Sequence, residues 1–371
     1  MAAAANKDQV AAAFDLQKVL LTPYGQTSSF YYSRRLANHN FTVTELDNMA
    51  TYCYFWSESE CNKGCCEIAT GVQKYIIQRN EEGIKHYHLF CDRCGGQNNN
   101  RPILVMLSYL VNVYEILSIT LTYLVSGHSQ SENDNAHSMI EQLARKKTVY
   151  TPVEWEAVIQ CSFRKNPCYV NVLEHKDIID YKSSAAFPEY KSVYADKTEE
   201  IMTDDQKSRQ QAHNKAINLP KRKVEKVYWS EIVEIKFEKS DPQMMMFKYS
   251  YDEDYRKAKF SAPIRKMRTK EMKIIKEKNM QKYKGAVGVS KQKKADLLKL
   301  CTKNLIPARH HSFYENLPES ATKTDAMNKP TAKSKKSKKT TKNAKDKAES
   351  KKFENKTTED TTDIPTDGSK K

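Results

Sequence analysis

The apolar positions along the first 150 residues change period several times, and each change marks an element. Val10 to Leu21 has a strand-like core in which Asp15 sits between Phe14 and Leu16, and Pro23-Tyr24-Gly25 supplies a turn. Ser28 to Leu36 and Ala50 to Trp56 are aromatic-rich and read as two further strands. From Gly64 to Gln78 the spacing of Ile68, Val72, Tyr75 and Ile76 is helical. A short apolar run, His86 to Phe90, reads as a strand ending at Asp92. A helix is then expected from about Gln97 to Leu117, a β-branched strand over Ile119 to Val125, and a helix from about Asn133 to Lys146. The order β-β-β-α-β-α-β-α predicts a three-strand meander followed by parallel crossovers. The expected fold is therefore α/β, a mixed sheet flanked by helices.

Past Lys147 the texture changes. A proline-marked helix is expected at Tyr150 to Trp155, a short strand at Tyr169 to Val172, an aromatic loop at Lys182 to Asp196 and an exposed polar stretch at Thr198 to Ala216. Val227 to Phe237 and Met244 to Tyr251 suggest a hairpin turning at Ser240-Asp241-Pro242. Ala262 to Lys284 is strongly basic, Lys291 to Leu300 is an amphipathic helix, and Ile306 to Leu317 closes the ordered part. From Pro318 onward the chain is lysine-rich with a single aromatic, Phe353, and cannot bury enough apolar surface to order itself. The expected organisation is a core over 8–182, a small basic α+β extension over 183–318 and a disordered tail over 319–371.

Composition sharpens the choice of partner. The chain has 371 residues, a net charge of +16 and a pI near 9.2, so its surface attracts polyanions, which favours nucleic acid or an anionic membrane over an acidic protein partner. Nine cysteines without small-scaffold spacing, and no signal-like N-terminus, suggest a reducing compartment with free thiols. The run Lys335-Lys336-Ser337-Lys338-Lys339 reads as a nuclear address or a polyanion tether. Ile103 to Val125 is apolar for most of a membrane-spanning length, but Asn112 and Glu115 lie near its middle, where an acid is costly in lipid; no membrane association is expected.

Two blocks carry candidate chemistry. Cys91-Asp92-Arg93-Cys94-Gly95-Gly96-Gln97-Asn98-Asn99-Asn100 follows a strand, and its glycines let backbone approach a ligand that the amides can bond. Gly127-His128-Ser129-Gln130-Ser131-Glu132-Asn133-Asp134 follows the next strand. Carboxylates at the C-terminal ends of strands suit an open α/β active site. The predicted order of elements is similar to that of the ribonuclease H-like fold, in which Asp15 would lie on the first strand, Asp92 at the end of the fourth, and Asp134 beside the fifth, with Glu132 competing for the third position. Glu67 falls in the first turn of the first helix. Clustered carboxylates suit Mg²⁺ or Mn²⁺, and two such ions can activate water and stabilise a leaving oxygen. Gln97, Asn98 and Arg101 could meet a phosphate or cap a helix, and His128 and His137 flank the third acid, where each could contact substrate or satisfy local backbone. Cys91 and Cys94 with Cys61, Cys65 and Cys66 offer thiolates for zinc, although the adjacent pair is awkward for tetrahedral chelation. No Ser/His/Asp nucleophile motif or phosphate-binding P-loop appears.

These blocks, with Phe14 to Leu20, Phe30-Tyr31-Tyr32, Asn40-Phe41, Trp56-Ser57-Glu58, Gly64 to Ile68, and the later Lys294 to Leu300 and Pro307 to Leu317, resemble a large family of transposon-related proteins over about residues 10–318. The resemblance implies a ribonuclease H-like core of transposase type, with Asp15, Asp92 and Asp134 as the catalytic, metal-binding acids, Glu67 assisting, and DNA (or RNA) as substrate in the nucleus. A working transposase of this kind normally carries a separate DNA-recognition domain, and little sequence precedes Asp15, so a fragment or a domesticated remnant is one expectation. The alternative is a domesticated copy that keeps the fold and binds nucleic acid, or acts as a scaffold, without cutting.

Overall fold

In the computed structural model the first strand, β1 (Gln9–Leu16), sends Val10, Ala12, Phe14 and Leu16 to one face and Asp15 to the other. The structure describes residues 7–125, 132–183, 198–199, 227–260 and 280–320, all within the first of two units, Met1–Lys323 and Thr324–Lys371. His128, the basic stretch 262–279, most of the 182–216 segment and the lysine-rich tail lie outside the described residues.

One mixed sheet organises the unit. β1 pairs antiparallel with β3 (Leu36–Glu45), which carries the short β2 (Leu20–Thr22), and β3 pairs antiparallel with β4 (Thr51–Ser57). On its other side β1 runs parallel to β5 (His86–Cys91), and β5 parallel to β6 (Ser118–Tyr123). β7 (Cys168–Val172) lines the outer side of β4 in parallel. The expected hairpin is present as β9 (Glu234–Glu238) and β10 (Met244–Lys248), and it joins the same sheet because β9 pairs antiparallel with β6. β11 (Arg256–Lys259) and β8 (Thr198–Glu199) complete the order β7-β4-β3-β1-β5-β6-β9-β10-β11-β8.

Helices cover both faces. α2 (Cys65–Glu81) and α3 (Arg101–Val113) pack on the face that carries Phe14, Phe41 and Tyr54. α2 comes so close that a Cβ on Gly71 would meet the Phe41 ring at 2.7 Å. α3 is apolar nearly all round, and the one amide near its end, Asn112, donates to the carbonyls of Ser108 and Pro242, so a helix of membrane-like texture is satisfied inside a sheet protein. No helix among the described residues is long and apolar enough to cross a membrane. α4 (Glu132–Ala144) and α5 (Pro152–Ser162) cover the other face, around Cys53, Phe55, Ile140 and Trp155. α6 (Lys291–Thr302) and α7 (His311–Glu315) form a smaller cluster with Phe30 and Leu36.

Two expectations shift. The stretch expected as a strand from Ser28 is a helical turn, α1 (Ser28–Tyr31), and the strand begins only at Leu36. Of its aromatics only Phe30 is buried, and the Ser33 hydroxyl bonds back to the Ser29 carbonyl, which holds a turn where a strand would leave that group outward. The helix expected from Gln97 begins at Arg101, because Asn100 caps it by accepting from the Ile103 N–H and Pro102 takes a first-turn position.

Candidate metal centre

The parallel pairing of β1 and β5 aligns Ala13 with Phe90; two residues further on, the same register brings Asp15 level with Asp92. Both acids therefore emerge at neighbouring strand ends. The third comes from α4, which carries Asp134 in its first turn and His137 one turn later. One ligand atom from each of Asp15, Asp134 and His137 lies within 4.8 Å of the others, the only such group of acids, histidines or cysteines among the described residues. Asp134, and not Glu132, belongs to it.

Asp92 stands beside this trio and adds to its field. Its carboxylate is oriented by the turn that follows. The N–H groups of Gln97, Asn98 and Asn99 all converge on the Cys94 carbonyl, which folds the Gly95-Gly96 segment back. The buried Asn98 side chain then donates to Asp92 Oδ1. Arg93, next in sequence, points elsewhere and donates to the carbonyls of Ser230 and Ile232.

The electrostatics are those of a negative site that is buried on the His137 side and open to solvent at Asp134. Burial, reinforced by the charges of Asp92 and Asp134, pushes Asp15 up to about 6, against the opposing pull of the Leu16 backbone N–H and Lys63. Burial also raises Asp92, against the Asn98 hydrogen bond. His137 is driven down to about 4 by burial, with Asp134 opposing, so its ring is neutral at physiological pH. Clustered acids that cannot all ionise comfortably, beside a neutral imidazole, form a donor set that a divalent cation fits.

Beneath the acids lies a closed ring of side chains. His137 Nε2 is 3.0 Å from the Thr42 hydroxyl; Asn40 Nδ2 reaches Thr42 Oγ1 at 3.4 Å and Gln17 Oε1 at 2.9 Å; Gln17 Nε2 returns to the His137 carbonyl at 3.3 Å. Thr44 donates to Asn133 Oδ1 at 2.9 Å, one turn back along α4. A proton on Nε2, donated to Thr42, would leave the Nδ1 lone pair on the side of Asp15, 4.0 Å away, as a cation ligand requires. Sequence reasoning missed Gln17, Asn40, Thr42, Thr44 and Asn133. Their signal was the alternation Asn38, Asn40, Thr42, Thr44 around the apolar Phe41 and Val43 of the same strand.

Glu67 is not brought to this cluster. It lies on α2, which covers the Phe41 face of the sheet, whereas Asp15 pairs with Thr42 and shares the opposite face. Fully buried, Glu67 is taken up by Lys282 Nζ and the Tyr283 hydroxyl, both at 2.5 Å. Gln97 contributes its backbone to the turn, and Arg101 opens α3. The cysteines join no metal-ligating group among the described residues; Cys91 is packed in the core with its thiol pushed well up by burial.

Residues 34–216 match the family model described as a domain of unknown function, DUF7869. The matched stretch contains Asp92, Asp134 and His137, while Asp15 lies before it. No curated protein and no solved structure matches the chain.

Proposed function

We propose that this chain is a transposase-like, divalent-cation-dependent nuclease core with a ribonuclease H-like fold, acting on phosphodiester bonds of DNA or RNA. The observation that carries the reading is the convergence of Asp15 from the end of β1 with Asp134 and His137 from the start of α4, while Asp92 at the end of β5 stands outside that group and reaches Asp15 through its charge. The sheet supports it through its central order β4-β3-β1-β5-β6, antiparallel in the first two pairings and parallel in the next two. Fold resemblance alone does not carry an activity, so the weight rests on the acids.

Asp15, Asp134 and His137 would hold one Mg²⁺ or Mn²⁺, and Asp15 with Asp92 would share a second. Such ions supply Lewis acidity toward the phosphate and lower the pKa of water. The chain's own residues supply the rest. Asn98 fixes the direction of the Asp92 carboxylate. The Gln17-Asn40-Thr42 ring fixes the imidazole of His137. Asp15 must lose its proton to act as a ligand, which it does as pH rises through about 6.

The test is nicking of supercoiled plasmid by the full chain with Mn²⁺ and with EDTA. Nicking that requires Mn²⁺ and disappears in Asp92→Asn supports the reading; nicking that survives in Asp92→Asn overturns it. The net charge of +16 favours one second reading, a fold that binds nucleic acid without cutting it. Salt-sensitive binding with no Mn²⁺-dependent nicking would select that alternative.

A further inference from the structure

We infer that a separate surface, at the far end of α4 from the acids, binds single-stranded nucleic acid through phosphate-facing cations and exposed tyrosines. α4 carries Asp134 at its start, and its last turn leads into Arg145, Lys146 and Lys147, all exposed. Eleven residues of helix separate Asp134 from Arg145, a distance of about 16 Å at the helical rise. Arg145 joins two adjoining depressions. One, of about 320 Å³, is lined by Trp155 and Tyr24 together with Lys18, Arg35 and Arg145, with Glu141 as its one acid. The other, of about 500 Å³, is lined by Arg145, Lys146 and Lys147 together with Gln26, Thr27 and Thr148.

None of Lys18, Arg35, Arg145, Lys146 and Lys147 has an ion-pair partner among the described residues, unlike Lys74, Arg79, Lys282 and Lys293, which are all paired. Five cations against one acid make a surface that releases counterions on meeting a phosphate chain. Beside them, the turn that failed to become a strand presents two rings to solvent. Tyr31 and Tyr32 are 75% and 85% exposed, stand edge-on at 5.2 Å, and Tyr31 lies within electrostatic reach of Arg35. Large exposed rings next to unpaired cations are poorly explained by folding, since they bury little. They suit bases that are free to stack, which a duplex does not offer. An acidic peptide would use the cations and leave the rings idle.

The experiment is fluorescence polarisation of the full chain with a labelled mixed-sequence single strand of about 20 nucleotides, which spans one or more such binding sites. The matching duplex and polyglutamate are the comparison probes. All measurements are made in EDTA and repeated in Asp92→Asn, so that failure of the nuclease reading leaves the outcome unaffected. We expect the single strand to bind tighter than the duplex. Tyr31→Ala with Tyr32→Ala should weaken single-strand binding about tenfold or more and leave the duplex nearly unchanged. Arg145→Gln, Lys146→Gln and Lys147→Gln together should lower the slope of log K against log salt by about 2. All these positions are exposed, and circular dichroism melts check that the variants fold. Equal affinity for strand and duplex with no effect of the tyrosines, an unchanged salt slope in the triple variant, or preference for polyglutamate would each overturn the inference.

Discussion

Asp15 and His137 are both held toward their neutral forms by burial, and their consequences for stability oppose each other. Asp15 binds its proton more tightly folded than unfolded, so its contribution falls as pH rises from about 4 to 6. His137 binds its proton less tightly when folded, so its contribution grows between about 4 and its ordinary value of 6.5. The two slopes nearly cancel in the wild type. In Asp15→Asn the Asp15 slope is removed, so urea melts should show stability rising more steeply across that window than in the wild type. At pH 7 without divalent cation the variant should exceed the wild type by about 1–2 kcal/mol, the shift having been discounted for a side chain one-third exposed. Mn²⁺ should raise the melting temperature of the wild type and leave that of Asp15→Asn unmoved. A variant less stable than wild type at neutral pH would show that Asp15 is not strained by its neighbours. At this scale the sequence was legible where an acid sat in an odd place: Asp15 between two core apolars and Asp92 at a strand end were visible directly. His137 and Asp134 were visible only as members of a polar block, because the turn of α4 that brings both to Asp15 exists only once α4 is docked.

β3 shows how an element supports the site from beneath. Asn40, Thr42 and Thr44 lie on the α4 side and Phe41 and Val43 on the α2 side, where Glu45 also bonds Tyr75, so a single strand carries a hydrogen-bonded seam on one side and mostly core on the other. Thr42 is the hinge of that seam, touching both His137 and Asn40. Thr42→Val keeps the shape and removes the hydroxyl. We expect a loss of about 1–2 kcal/mol in chemical denaturation, from polar groups left without a partner. Mn²⁺ affinity measured by calorimetry should fall about tenfold as the imidazole loses its orientation. If affinity and stability both stay at wild-type values, the ring does not position His137. From β4 to α4 the strands and helices could be read from their periods, whereas the central strand β3 was expected over Ser28 to Leu36 and the run Val10 to Leu21 divides into β1 and β2. The turn at Ser28–Tyr31 could not, since an aromatic run carries the same propensity whether its rings end up buried or exposed.

For the whole molecule, the buried contact of Glu67 with Lys282 and Tyr283 ties a segment more than two hundred positions later onto α2. Lys282 retains about a quarter of its side-chain exposure. Glu67→Gln should therefore cost about 2–3 kcal/mol, toward the lower end for breaking a buried pair, and leave Mn²⁺ affinity intact. The reverse pattern, stability kept and Mn²⁺ affinity lost, would return Glu67 to the metal site. The sequence alone determined the α/β class, the alternation of helices and strands from β4 to α4 and the acids worth watching, because periodicity and strand-end composition are local properties that burial imposes residue by residue. Tertiary structure decided which acids meet. Side chains alternate across a strand, so whether Glu67 or His137 joins Asp15 depends on which helix covers which face of the sheet, and that depends on contacts between residues far apart in the chain. The same holds for the hairpin, whose pairing with β6 widened the sheet through backbone hydrogen bonds that any sequence of strand character could make.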